Sequence, residues 1–168
     1  MEKFNSLILK KVLCIFLFVS LTNCKKEQKK GFENFTFSSG NIHSYDYLKF
    51  NKSDTVYCLD RLPFEKKILK YTIMNKSQKI ELYRLIDKLI FPSRDSVFYN
   101  NQIDDGTTFA FSLENNSKIK RIMIHENSGP KVFWKLGQWI VDFKDNSKFD
   151  TIQNKVEFDD FDQMISIP

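Results

Sequence analysis

The sequence predicts an α+β domain: a mainly antiparallel sheet with two helices packed on one face. Three observations predict it. Short stretches alternate apolar and polar residues through the first half of the body; two longer stretches carry apolar residues at helical spacing; and the connections between them are short. Strands in succession with few helices favour an antiparallel sheet whose helices cover one side.

Each element follows in chain order. Phe35 and Phe37 alternate with polar neighbours, as do Leu48 and Phe50, then Val56 and Cys58, then Leu69, Tyr71 and Ile73. Asn75 opens a helical pattern, with Gln78 three residues on in the capping-box position. Leu82, Leu85, Ile86, Leu89 and Ile90 share one face of that helix, and Pro92 stops it. Phe109, Phe111 and Leu113 alternate next, Asn115-Asn116 make a turn, and Ile122 and Ile124 lie on the returning strand. Ser128-Gly129-Pro130 reads as a helix start, with Val132, Leu136, Trp139, Ile140 and Phe143 as the inner stripe. A last short strand is expected near Val156–Phe158.

Composition bounds the function. The 168 residues are 42% hydrophobic and 28% charged, which is ordinary globular chemistry. The net charge of +5 sits at the N-terminal end: from Gly31 onward 19 Lys or Arg face 19 Asp or Glu. A nucleic-acid binder would carry its basic excess on the folded body, so no nucleic-acid partner is expected.

Met1–Lys11 is polar and basic, and Val12–Leu21 is a ten-residue, mostly apolar run. Ten residues fall short of the ~20 that a helix needs to cross a bilayer, so this reads as an export signal, residues 1–23. The run ends in Leu21-Thr22-Asn23-Cys24. This motif resembles the lipobox of bacterial lipoproteins, with Asn23 where a smaller residue is commoner. The resemblance covers 24 residues and implies diacylglycerol on the Cys24 sulfur, cleavage before Cys24 and acylation of its amine. The partner so implied is a lipid bilayer, gripped through acylated Cys24, because two or more acyl chains anchor stably. Residues 24–30, with Lys25, Lys26, Lys29 and Lys30 against Glu27, form a charged tether. In Bacteroidota-type lipoproteins acidic residues after the Cys favour surface export, so the basic tether implies a periplasm-facing protein of the cell envelope. Residues 31–168 are then one domain.

Chemistry in that domain is sparse. Cys58 is alone in the mature chain and lies in an apolar run, which points to a buried, inert thiol. His43 and His125 each lack a second His or Cys at ligand spacing, and each reads as a surface or half-buried residue. Asp104-Asp105-Gly106-Thr107 reads as a turn, and Asp159, Asp160 and Asp162 as a solvated tail. No nucleophile elbow, Gly-rich phosphate loop, metal site or cofactor motif is present, so no enzyme is expected.

One feature points to a partner. On a helical wheel Trp134 falls roughly opposite the inner stripe, with Gly137 and Val141 nearby, so Trp134 and Val141 are the candidate contact for an envelope protein. Cover by the C-terminal tail, through Phe161 or Ile165, is the competing reading. The leading expectation is a non-catalytic protein-binding or structural module. The alternative is a small-ligand-binding lipoprotein using the aromatic face with Tyr45 and Tyr47, and an envelope hydrolase comes third.

Overall fold

Alternation with a period of two puts every second side chain of a strand on the same side of a sheet. The computed structural model, which describes residues 31–40, 45–61, 67–99, 106–126, 128–159 and 161, joins eight such strands into one sheet. All of these residues belong to one compact unit, Gly31–Pro168. The strands are β1 (Asn34–Gly40), β2 (Tyr45–Asn51), β3 (Thr55–Arg61), β4 (Ile68–Ile73), β5 (Ser96–Phe98), β6 (Thr108–Asn115), β7 (Lys118–His125) and β8 (Asp150–Thr151). Their order across the sheet is β5-β7-β6-β1-β2-β3-β4-β8. Every pairing is antiparallel except the short β5–β7 pair. Two helices, α1 (Lys76–Ile86) and α2 (Lys131–Asp145), pack on one face. The α+β class and the mainly antiparallel sheet are as the sequence predicts.

The inner face is aromatic. Phe35 and Phe37 on β1, Leu48 and Phe50 on β2, Val56 and Cys58 on β3, Phe109 and Phe111 on β6, and Ile122 and Ile124 on β7 are all buried. Phe111 has ring neighbours in Phe35, Phe37, Phe109 and Phe133 at centroid distances of 5.3–6.4 Å. Register fixes this layer, since a slip of one residue would turn the whole set to the other side. Leu69, Tyr71 and Ile73 do form a strand, but their stripe points to the outer face; Ile73 is 60% exposed.

The capping box forms as expected: Asn75 Oδ1 accepts from the Gln78 amide at 2.9 Å, and Gln78 Oε1 accepts from the Asn75 amide at 2.8 Å. The helix stops earlier than its periodicity predicts. After Ile86 the amides of Lys88 and Leu89 turn to the carbonyls of Leu85 and Ile86, three residues back. Leu89 and Phe91 still reach the core, whereas Ile90 is 85% exposed.

The stripe of α2 also needs correction. Phe133, Leu136, Gly137, Ile140 and Phe143 are buried, while Val132 lies out on the surface and Trp139 is half-buried against Phe143. The entry sets this phase. Gly129 takes φ +74°, which favours glycine, and Pro130 sits at the N-cap, so Phe133 rather than Val132 points inward. The strand expected at Val156–Phe158 is absent: the last strand among the described residues is Asp150–Thr151, and residues 152–159 run without regular structure.

That irregular stretch is the second layer. On the outer face, Phe161 is buried with Tyr47, Ala110 and Met123, and Phe158 packs alongside. Residues 152–159 and Phe161 therefore act as a strap over the side of the sheet opposite the helices.

Candidate functional site

The strap is held by side chains that the strands project outward. Arg121 on β7 grips Asp159 with two hydrogen bonds, Nε to Oδ2 at 3.0 Å and Nη2 to Oδ1 at 2.7 Å. The Ser112 hydroxyl donates to the same carboxylate, and Lys49 Nζ donates to the Glu157 carbonyl at 2.8 Å. The Asp159 carboxylate, chiefly by hydrogen bonding, holds the Arg121 guanidinium above its ordinary value, although burial pulls the other way. Asp159 is thus a docked anchor and not part of a solvated tail; Asp160 and Asp162 lie outside the described residues.

The two tyrosines singled out from sequence share this face, as their spacing requires. Tyr47 is buried beneath Phe161, their rings stacked at 6.3 Å and 17°, with Phe158 edge-on at 6.2 Å. Tyr45 is half-buried beside them. The strap thus covers the Tyr47 ring. Under the strap a cavity of about 220 Å³ is lined by Thr36, Lys49, Ser112, Glu114, Ile119 and Asp159, with Phe158 as an apolar wall; neither Tyr45 nor Tyr47 lines it.

On α2, Trp134 is half-buried and packs on the Phe109 ring at a centroid distance of 4.6 Å. Gly137 explains the fit: a Cβ there would lie 2.3 Å from Phe109 Cδ2, so the bare backbone admits the ring that then supports Trp134. Phe161 does not cover it, because Phe161 sits on the opposite face of the sheet; Ile165 lies outside the described residues. Val141 is half-buried against the same core, and Gln138 between them is exposed. Trp134, Gln138 and Val141 follow at i, i+4 and i+7, so they line one flank of the helix.

The inner face carries one polar cluster. Lys144 on α2 pairs with Asp46 and lies 3.8 Å from Asp60, which also takes Lys70. Burial pushes the Asp60 carboxyl up, but hydrogen bonds from Lys70 and Cys58 and the Lys144 charge outweigh it and hold it below the usual carboxylate range. Burial, then the neighbouring Asp60 charge, pushes the Cys58 thiol up to about 12. A thiol so placed is the buried, inert residue expected of its apolar run.

His125 is more buried than expected, at 7% exposure. Its Nδ1 lies 3.0 Å from Thr108 Oγ1, and its ring stacks on Tyr99 at 4.8 Å. His43 and Cys24 lie outside the described residues. Among the described residues no three His, Cys, Asp or Glu side chains gather as a metal set, and no helix is long and apolar enough to cross a membrane.

No protein-family model and no curated protein sequence matches this chain. Sequence reasoning missed the strap and its Arg121–Asp159 anchor. The local signal is a pair of aromatic residues, Phe158 and Phe161, set among the acids Glu157, Asp159, Asp160 and Asp162.

Proposed function

We propose that this chain is a lipid-anchored envelope protein whose α+β domain is a non-catalytic binding module for an envelope protein partner. The observation that carries the anchor is Leu21-Thr22-Asn23-Cys24 closing a basic-then-apolar leader, with the folded domain beginning only seven peptide steps later at Gly31. Two features support a binding role. The charged side chains inside the domain are engaged in tying its layers together, as in Arg121–Asp159 and Lys144–Asp46. The flank Trp134–Gln138–Val141 sets a supported aromatic ring beside an aliphatic one, the composition of a contact surface.

A crosslinking residue placed at the exposed Gln138 of the full chain tests this in intact cells. Stoichiometric capture of one protein, lost in Cys24→Ser, is the expected result. Equal capture by Cys24→Ser contradicts the membrane setting, and no capture by the anchored form contradicts the partner flank.

The cavity around Lys49, Ser112 and Asp159 favours a second reading, a small-ligand-binding lipoprotein. Its mixture of Lys49, hydroxyls and carboxylates against the Phe158 ring suits a polar molecule of amino-acid size. Stabilisation of the full chain in a thermal screen of amino acids and sugars, abolished by Lys49→Ala, would favour it.

A further inference from the structure

A chain tied by one end presents a particular rim to whatever holds it. At ~3.3–3.6 Å per residue, the seven steps from Cys24 to Gly31 span no more than roughly 25 Å. Gly31 leads into β1, and the backbone amide of Glu33 donates to the Glu114 carbonyl at 2.9 Å. The register then says which loops share that end of the sheet. Asn34 stands opposite Asn51 and Glu114, and Thr55 opposite Ile73. The rim therefore consists of the β2–β3 turn, the β4–α1 junction and the β6–β7 hairpin.

This rim is basic although the body is neutral. Lys52, Lys76, Lys118 and Lys120 are all exposed there, and none takes part in an ion pair among the described residues. Of the acids at the same end, Asp54 is paired with Lys79, Asp95 with Arg121, Glu114 takes the side-chain amide of Asn34 at 2.7 Å, and Glu33 is half-buried at the start of β1. Ile73 and Ile119 add apolar side chains at 60% and 43% exposure. The hairpin is tight, since Asn116 and Ser117 take φ +50° and +58°, the left-handed pair of a two-residue turn, so Lys118 and Ile119 stand close to its tip. Lysines on an open strand edge also deter pairing with other chains, which would account for Lys118 and Lys120; it leaves Lys52 and Lys76 unexplained.

We propose that this rim is a lipid-facing surface. Lys52, Lys76, Lys118 and Lys120 meet anionic headgroups, and Ile73 and Ile119 reach the interfacial layer. Basic residues near an anionic leaflet are attracted within about a Debye length of it, which applies to these four lysines as it does to those of the tether sequence. The proposal rests on the lipid-anchor reading, and it orients the domain: the β1 start faces the bilayer, and the opposite end of the sheet points away.

The test uses the full, lipidated chain in vesicles of phosphatidylcholine alone or with one-third phosphatidylglycerol. A fluorophore is placed at Ile119→Cys or, at the other end of the sheet, at Lys67→Cys, with Cys58 buried and unreactive. Quenching by nitroxide-headgroup lipid should be several-fold stronger at 119 than at 67 in the anionic vesicles. It should fall toward the 67 level when Lys52→Gln, Lys76→Gln, Lys118→Gln and Lys120→Gln are combined. Flotation with the vesicles but equal quenching at the two positions overturns the surface and leaves the anchor standing. Stronger quenching at 119 that ignores both phosphatidylglycerol and the four substitutions overturns headgroup recognition. A chain that fails to float contradicts the anchor, and the surface falls with it.

Discussion

The two faces of this sheet are made by the same strands and closed in different ways. The inner face carries phenylalanines and branched aliphatics, and α1 and α2 close it with Leu82, Ile86, Phe133, Leu136 and Ile140. The outer face carries Thr36, Ser38 and Ser112 buried beside Tyr47, Ala110 and Met123, and an irregular stretch that includes Phe158 and Phe161 closes it. One closure spreads over many contacts. The other depends on Phe161, with Phe158 beside it, and on a few hydrogen bonds from Arg121, Ser112 and Lys49. The lesson is that alternation along a strand decides which side becomes a dry core, while the second side can be left to a segment with no periodicity of its own.

The comparison breaks first, or survives, at two phenylalanines. Phe111→Ala should cost about 3–5 kcal/mol, because rings on four sides hold the cavity open. Phe161 is equally buried, at 1% exposure, yet Phe161→Ala should cost only about 2 kcal/mol. The strap can peel away, so its loss is limited to what docking contributes. Urea unfolding of the two variants measures the difference, and equal losses would make the strap an integral part of the core. Protease sites between residues 152 and 159 should also open before global unfolding in Phe161→Ala.

The charged anchor sharpens the same contrast. Asp159→Asn keeps the shape but removes the charge held by Arg121 and Ser112, and should cost about 1–2 kcal/mol. Amide exchange on the strap should quicken while exchange in β1 and β6 stays unchanged. Protection lost equally on both faces would mean that the two layers unfold as one.

A smaller effect belongs to the inner face and to pH. Asp60 is held below its ordinary value, so its contribution is present above the unfolded carboxylate range, near 3.8, and is lost as pH falls through the lower folded value. Asp60→Asn should therefore flatten the decline of stability as pH falls through and below the ordinary carboxylate range. A variant whose acid sensitivity matches the parent would show that the Lys70 and Lys144 contacts do not favour the charged form.

The sequence makes the inner face legible because each buried residue of β1, β2, β3 and β6 is two positions from the next. The phase of α2 was harder. Choosing Val132 over Phe133 is an error of one residue, about 100°, and the left-handed Gly129 that sets the entry angle leaves no periodic trace. For the same reason the helical wheel carries no sign that Trp134, half-buried on its flank, is supported by Phe109. The strap was illegible because its anchors join residues far apart in the chain, Arg121 to Asp159 and Lys49 to Glu157, and a bare pattern of acids looks like a solvated tail. The candidate anchor shows the reverse. Cys24 is legible only in the sequence, as a motif of four residues after an apolar run.

Intact mass of the protein extracted from membranes tests the central proposal most directly. The account predicts a chain that begins at Cys24 and carries the added mass of a diacylglyceryl group and an amide-linked acyl chain, with both additions lost in Cys24→Ser. A mature chain that begins elsewhere, or one that begins at an unmodified Cys24, would contradict it.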